Sequence, residues 1–341
     1  MAQIAALRRG FVRKLKSEKR ANPSKAELMI ELAKPSFVVV GPPRTGTSWL
    51  HKVLQPYATL PSPSKETRFF DLHFHRGLEW YSWHFPRQHQ GPVGEIAPTY
   101  FASPEARHRI AETLPHSKIV FVFRNPVERA VSLYKLKLAY GMYRWNFLEA
   151  LRRDPELITS GLYWTHLSGW RESFPDEQLL VMVYDDLATD PQHFVGSIAS
   201  FIGIPNLTIP QSQLNRVFST ERMTRPRSYL ATRTATAFAD WCKSRRLDHL
   251  VASVRESAFI RLFLGGGDSL PQVSLEILEE LAETFRPEIE KLEARIGRNL
   301  AHWKQAQTCL DGENHQRLTV GYREGKGASL AGRREPQGLV N

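Results

Sequence analysis

Hydrophobic residues recur along this chain with two different periods. Phe37-Val-Val-Val40, Lys118-Ile-Val-Phe-Val-Phe123 and Gln178-Leu-Leu-Val-Met-Val-Tyr184 are nearly unbroken apolar runs, the pattern of strands covered on both faces. Gly94-Glu-Ile-Ala-Pro-Thr-Tyr100 reads as a shorter strand ending in a loop. Helical spacing opens at Thr47 and runs through Val53 and Leu54. It returns from Pro104 to Leu114, with Ser103 as N-cap, Pro104 near the first helical position and Pro115 as the stop. Pro126 begins another helix, and residues 146–153, 161–174, 190–202, about 230–262 and 274–296 follow. The last is amphipathic through Leu275, Leu278, Leu281, Phe285, Ile289, Leu292 and Ile296. Residues 205–224 are expected to be irregular. Strands alternating with helices of ten or more residues predict βαβ units. The fold class is therefore α/β, a central parallel sheet flanked by helices, with a helical C-terminal extension.

This reading divides the chain into a basic arm (1–34), a single domain (35–304) and a polar tail (305–341) expected to be disordered. Within the domain the α/β core covers about 36–205 and the helical part about 206–304. Charge sharpens the picture of the arm. The chain carries a formal +11. Residues 1–34 hold nine Lys or Arg against three Glu, a net of +6 (9 − 3), so over half the excess lies outside the apparent fold. That distribution suits a solvated arm with at most weak contact to an acidic surface, and argues against specific nucleic-acid binding. Cys242 and Cys309 cannot form a disulfide framework, no apolar run approaches the ~20 residues of a membrane span, and the apolar start is short for a signal peptide. A cytoplasmic protein is the expectation, with oligomeric state unspecified.

Candidate chemistry begins where the first strand ends. Gly41-Pro-Pro-Arg-Thr-Gly-Thr-Ser48 is a loop between a buried strand and a helix N-terminus, where free backbone N–H groups and the positive helix end converge on an anion. Gly41, Gly46 and Ser48 keep the spacing of the Walker A pattern G-x-x-x-x-G-K-[ST], but Thr47 stands in the lysine position and the cation moves to Arg44. A second anion site follows the second long strand. Arg124 stands at its carboxyl end, where open α/β sheets bind ligands, and Ser132 lies two turns into the next helix. Together they could hold a phosphate, although Arg124 could instead pair with Glu95 or Glu128. A Walker B strand would end in a metal-holding Asp, so magnesium-dependent hydrolysis is disfavoured. Between the two sites, Phe69, Phe70, Phe74, Trp80, Tyr81, Trp83 and Phe85 alternate with polar residues. They fit a core or a cleft wall equally well.

The two sites resemble the nucleotide-dependent sulfotransferases. Pro-Arg-Thr-Gly-Thr-Ser-Trp-Leu is similar to that family's 5′-phosphosulfate loop, and Arg124-Asn-Pro-Val-Glu-Arg-Ala-Val-Ser-Leu-Tyr134 to its 3′-phosphate motif. Lys65-Glu-Thr-Arg-Phe-Phe-Asp71 resembles the Lys-Glu-x-His-Phe-Phe-Asp segment of the heparan-sulfate-type (N-/3-O-sulfotransferase-like) branch, and residues 161–170 and 179–187 match further pieces of it. The resemblance implies a P-loop-like sheet and the donor 3′-phosphoadenosine 5′-phosphosulfate (PAPS), which leaves 3′,5′-adenosine bisphosphate (PAP). It implies no metal. The acceptor would be a hydroxyl or amine of a small molecule or glycan. Arg44, Thr45, Gly46, Thr47, Ser48 and Trp49 would hold the 5′-phosphate, and Arg124 and Ser132 the 3′-phosphate. Glu66 would be the general base, aided by Lys65, with Arg44 stabilising the leaving phosphate. Arg68, Phe70, Asp71 and His73 would face the acceptor, Arg68 replacing the family's His. His73, His75 and His84 are rival bases, and Arg222, Arg225 and Arg227 are candidates for completing the 3′-phosphate pocket. The alternatives are a P-loop kinase or NTPase, and a non-enzymatic anion-binding protein.

Overall fold

The computed structural model describes residues 34–86, 88, 91–214, 228–244 and 270–305. The basic arm up to residue 33, the tail from 306, and Arg222, Arg225 and Arg227 lie outside the described residues, as do 245–262 of the expected helix. The strands are β1 (Phe37–Gly41), β2 (Gly94–Ile96), β3 (Lys118–Phe123) and β4 (Leu179–Val183). The helices used below are α1 (Thr47–Leu54), α2 (Gly77–Ser82), α3 (Pro104–Thr113), α4 (Pro126–Ala139), α5 (Phe147–Arg153), α6 (Glu156–Thr159), α7 (Tyr163–Ser173), α8 (Tyr184–Thr189), α9 (Pro191–Ile202), α10 (Gln211–Leu214), α11 (Tyr229–Ser244) and α12 (Leu275–Ile296).

The four strands form one parallel sheet in the order β2-β1-β3-β4. Placing β1 between β2 and β3 buries its whole length, which is why its sequence is apolar at every position. Side chains alternate between the two faces of the sheet. Val38, Val40, Ile119, Phe121 and Phe123 enter one core layer, with α3, α4, α7 and α12. Phe37, Val39, Val120 and Val122 enter the other, with α1 and α9. The structure is thus the expected three-layer α/β arrangement.

Helix boundaries follow local chemistry. Ser103 accepts from Ala106 N at the start of α3, and Asn125 accepts from Val127 N and Glu128 N ahead of Pro126 in α4. The amphipathic C-terminal helix buries Leu278, Leu281, Phe285, Ile289 and Leu292, while Leu275 at its start is 36% exposed. Glu288 on α12 accepts from both the backbone N and Oγ1 of Thr165 on α7. The C-terminal element is therefore docked onto the α/β core.

The aromatic segment resolves mostly into core. Phe69, Phe70, Tyr81 and Phe85 are buried, with the Phe69 and Tyr81 rings stacked at 4.6 Å. Trp83, by contrast, is 50% exposed. Phe70 cannot face an acceptor as expected. Its ring is fully enclosed against Tyr81 and Tyr100, because the chain turns sharply after Arg68 (φ 54) and drives both phenylalanines inward.

Candidate active site

The loop after β1 turns on two glycines in the left-handed region. Gly41 (φ 75) passes so close to the turn after β2 that a Cβ there would lie 2.9 Å from Pro98 Cβ. Gly46 (φ 83) is the N-cap of α1 and has no side chain to satisfy the first N–H groups of the helix. Those donors are left to a ligand. Arg44 also has a positive φ (75), strain that a side chain normally avoids and that functional loops accommodate.

That backbone turn aims Arg44 across the molecule. Its Nε donates to Ser132 Oγ at 2.9 Å, joining two motifs 88 residues apart. Burial, and then repulsion from Arg124, hold the Arg44 guanidinium below its ordinary pKa. Among the described residues no carboxylate neutralises it. Arg124 does pair with Glu128, through Nε and Nη2 at 3.0 and 2.8 Å, and lies over the Tyr184 ring. Burial alone would lower its pKa, but Glu128 outweighs this and the net shift is upward. The Tyr163 hydroxyl donates to the Arg124 carbonyl and fixes the strand end. Two crowded guanidiniums beside a helix N-terminus make a strongly anion-seeking surface.

The Walker lysine absent at position 47 is replaced in space by another segment. Lys65 Nζ lies 3.5 Å from Thr47 Oγ1 and 3.4 Å from Ser48 Oγ, and 3.2 Å from Glu66 Oε1. Lys65 and Glu66 are each 26% exposed, so the pair stands at the mouth of the cradle. Arg44, Gly46, Thr47, Ser48, Lys65, Glu66 and Ser132 are thus brought together, with Arg124 close enough to Arg44 for mutual repulsion.

Two cradle side chains depart from expectation. Trp49 packs its ring into the core beneath α1 and donates Nε1–H to Gln213 O on α10, so its indole is largely turned into the protein. Thr45 is buried and spends its hydroxyl on Pro42 O. Both side chains are spent inside the protein, Thr45 on its own loop and Trp49 on the core and α10.

On the other side of the cradle, Arg68 Nε donates to Asp71 Oδ2 at 2.6 Å. The second Asp71 oxygen accepts from Leu72 N. Arg68 lines a cavity of about 300 Å³ with Pro43, Thr99, Ser103, Glu156 and Ser160. Thr99 Oγ1 is buried without a hydrogen-bond partner. His73 lies against Trp80 at 5.3 Å, and burial followed by Arg76 lowers its pKa. His84 faces the Trp80 carbonyl instead. Both histidines pack on the Trp80 ring, at 5.3 and 4.3 Å between centroids.

Three further titratable groups lie near the site, with surroundings that the sequence does not reveal. His51, on α1, has a buried Nε2 without a partner, and burial, then Lys65 and Lys52, push its pKa to about 4. Arg129 is wholly buried on α4 and donates Nη2–H to Leu157 O. Glu95 sits in β2 behind the Glu66 segment, with burial raising its pKa to about 7. A charge in a short strand gives no clue to its neighbours in space, and only the fold brings these groups to the site. Among the described residues no cluster of His, Cys, Asp and Glu could hold a metal ion.

The chain is 32% identical to the human bifunctional heparan sulfate N-deacetylase/N-sulfotransferase 2, over 50% of this chain and 22% of that protein. It is 33% identical to mouse heparan sulfate glucosamine 3-O-sulfotransferase 6, over 50% of this chain and 52% of that protein. The chain therefore spans about half or less of the length of these relatives. A sulfotransferase structure from Alicyclobacillus acidocaldarius shares the fold, with a TM-score of 0.58, 23% identity, and coverage of 80% of this chain and 100% of that one. Residues 34–245, well over half the chain, match the sulfotransferase domain family, and the chain belongs to that family.

Proposed function

We propose that this protein transfers the sulfuryl group of PAPS to a hydroxyl or amine of its acceptor, with Glu66 as general base. The observation that carries the reading is the Arg44–Ser132 hydrogen bond, which brings the cradle and the helix after Arg124 together and supports reading them as one anion site. A donor with phosphate at both 3′ and 5′ positions suits that span. The cradle backbone at Gly46–Ser48 and the Thr47 and Ser48 hydroxyls would take the 5′-phosphate. Arg124 and Ser132 would read the 3′-phosphate that sets this donor apart from ATP.

In the reaction, the acceptor oxygen or nitrogen bonds to sulfur as the bond from sulfur to the bridging oxygen breaks. The acceptor proton passes to Glu66. Negative charge gathers on the departing 5′-phosphate of PAP, where Arg44 and Lys65 supply compensating cations. Lys65 serves both ends, lying beside Thr47 and Ser48 and pairing with Glu66 at 3.2 Å.

The acceptor would enter by the cavity that Arg68 lines. The names of the relatives concern heparan sulfate, and a carbohydrate acceptor is in keeping with the hydroxyl-rich walls at Thr99, Ser103 and Ser160. Arg68, with only its Nε engaged by Asp71, would present its terminal nitrogens to an acidic group of the acceptor.

The test is transfer of labelled sulfuryl from PAPS to a panel of glycan and small hydroxyl or amine acceptors. Wild-type protein should label at least one acceptor. Glu66→Gln should bind PAP normally and lose turnover by about 10²–10⁴-fold. Full turnover in that variant would remove Glu66 from the role of base.

A further inference from the structure

Glu95 is a heavily bonded side chain that the proposed reaction does not use. It lies in β2, fully buried, its backbone paired in register with Val38 of β1. Its Oε1 accepts from both Thr67 N and Thr67 Oγ1 at 2.7 Å. Its Oε2 accepts from the Tyr81 hydroxyl at 2.9 Å, and the Tyr100 hydroxyl lies within 3.3 Å of both oxygens. The anchored residue, Thr67, directly follows Lys65 and Glu66. Thr67 Oγ1 in turn accepts from Phe69 N, so the network grips the irregular stretch between the cradle and the acceptor side.

The placement is costly. A carboxylate with no cation among these contacts is disfavoured when ionised, and burial raises its pKa. A pair of apolar residues would pack this spot at less cost. What a carboxylate provides here is two acceptor oxygens facing several converging donors, one of them a backbone N–H that no helix or strand satisfies. The segment it holds has little regular structure of its own, since Lys65–Arg68 belong to no helix or strand and Arg68 takes φ 54.

We propose that Glu95 is a positioning residue, whose bonds to Thr67 set the Lys65–Glu66 pair against the Thr47–Ser48 end of the cradle. This rests on the reading of Lys65 and Glu66 as reaction groups, but the anchor can be tested without turnover. Glu95→Ala removes both acceptors. Glu95→Gln keeps one oxygen for Thr67 and lets its amide donate to the tyrosine hydroxyls, so it is the conservative rescue. Thr67→Val removes one of the two Thr67 donors and leaves Glu95 in place, in case Glu95→Ala does not fold.

The experiment combines hydrogen exchange over residues 64–70, acylation of Lys65 by acetic anhydride, and calorimetric titration with PAP. In Glu95→Ala the segment should exchange about tenfold or more faster, a local opening, while β1 and β3 keep their protection. Lys65 should acylate faster, and PAP affinity should stay within about threefold because the Arg124 end is untouched. Glu95→Gln should restore most of the protection, and Thr67→Val should fall between. Unchanged exchange over 64–70 in Glu95→Ala and Thr67→Val would overturn the proposal. So would an equal loss of protection across the whole sheet, which would make Glu95 merely a core residue. If Glu66→Gln retains full turnover while Glu95→Ala still loosens the segment, the catalytic reading fails and the anchor stands.

Discussion

The two sides of the candidate site are built by different means. The nucleotide side is made of sheet and helix ends: Gly41 closes β1, Gly46 caps α1, and Arg124 follows β3 with Asn125 capping α4. Its geometry comes from backbone regularity, and its side chains only add charge. The acceptor side, residues 64–76, has no strand and only short turns of helix from Phe69 onward. It is held by side-chain networks, Glu95 on Thr67 and Asp71 on Arg68. On the proposed function, a donor site fixed by the scaffold and an acceptor site fixed by side chains can change separately, so the second can vary in specificity without loss of the first.

Breaking each side in turn sharpens the contrast. The largest effect belongs to Glu66→Gln, whose turnover should fall by about 10²–10⁴-fold with PAP binding intact, as measured by labelled sulfuryl transfer and calorimetry. Next is Arg124→Ala on the donor side. Removing a charged hydrogen-bonding group should weaken PAP by about tenfold to a hundredfold, and would leave Glu128 without its partner. Third is Gly41→Ala, which forces a Cβ to φ 75 and to 2.9 Å from Pro98 Cβ. The backbone conformation alone should cost about 1–2 kcal/mol in a denaturant titration, with further cost from the overlap.

The smallest effect is a pH dependence on the acceptor side. Folding raises the Glu95 pKa from 4.5 to about 7, through burial. A raised pKa contributes stability that is fully present below 4.5 and lost as pH rises through about 7. Glu95→Gln has no such titration. Thermal melts of the variant and the wild type should therefore diverge in favour of the variant by about 1 kcal/mol between pH 6 and 7. A constant offset across that range would show that Glu95 does not titrate there.

The same contrast explains what could be read before the structure. β1, β3 and β4 are legible because their apolar runs are nearly unbroken, and α3 and α4 because Ser103, Pro104 and Pro126 mark their starts. Arg44 and Ser132 could be named separately, but nothing in sequence spacing predicts a bond across 88 residues. Glu95 was visible only as a possible partner of Arg124. Its real partners, Thr67, Tyr81 and Tyr100, are neutral donors with no charge pattern to give them away. Phe70 illustrates the limit for aromatic stretches, where core and cleft wall look alike until the backbone turn at Arg68 is known. Arg124 pairs with Glu128, one of the partners its spacing left open, at the strand end beside Arg44.

The central claim is that one continuous site reads both phosphates of PAPS. Calorimetric titration with PAP, alongside ATP plus magnesium, tests it most directly. The account predicts tight binding of PAP, weak binding of ATP, and loss of the preference in Arg124→Ala. Preferred binding of ATP with magnesium would contradict it and return the cradle to the phosphate-transfer reading that Thr47 argues against.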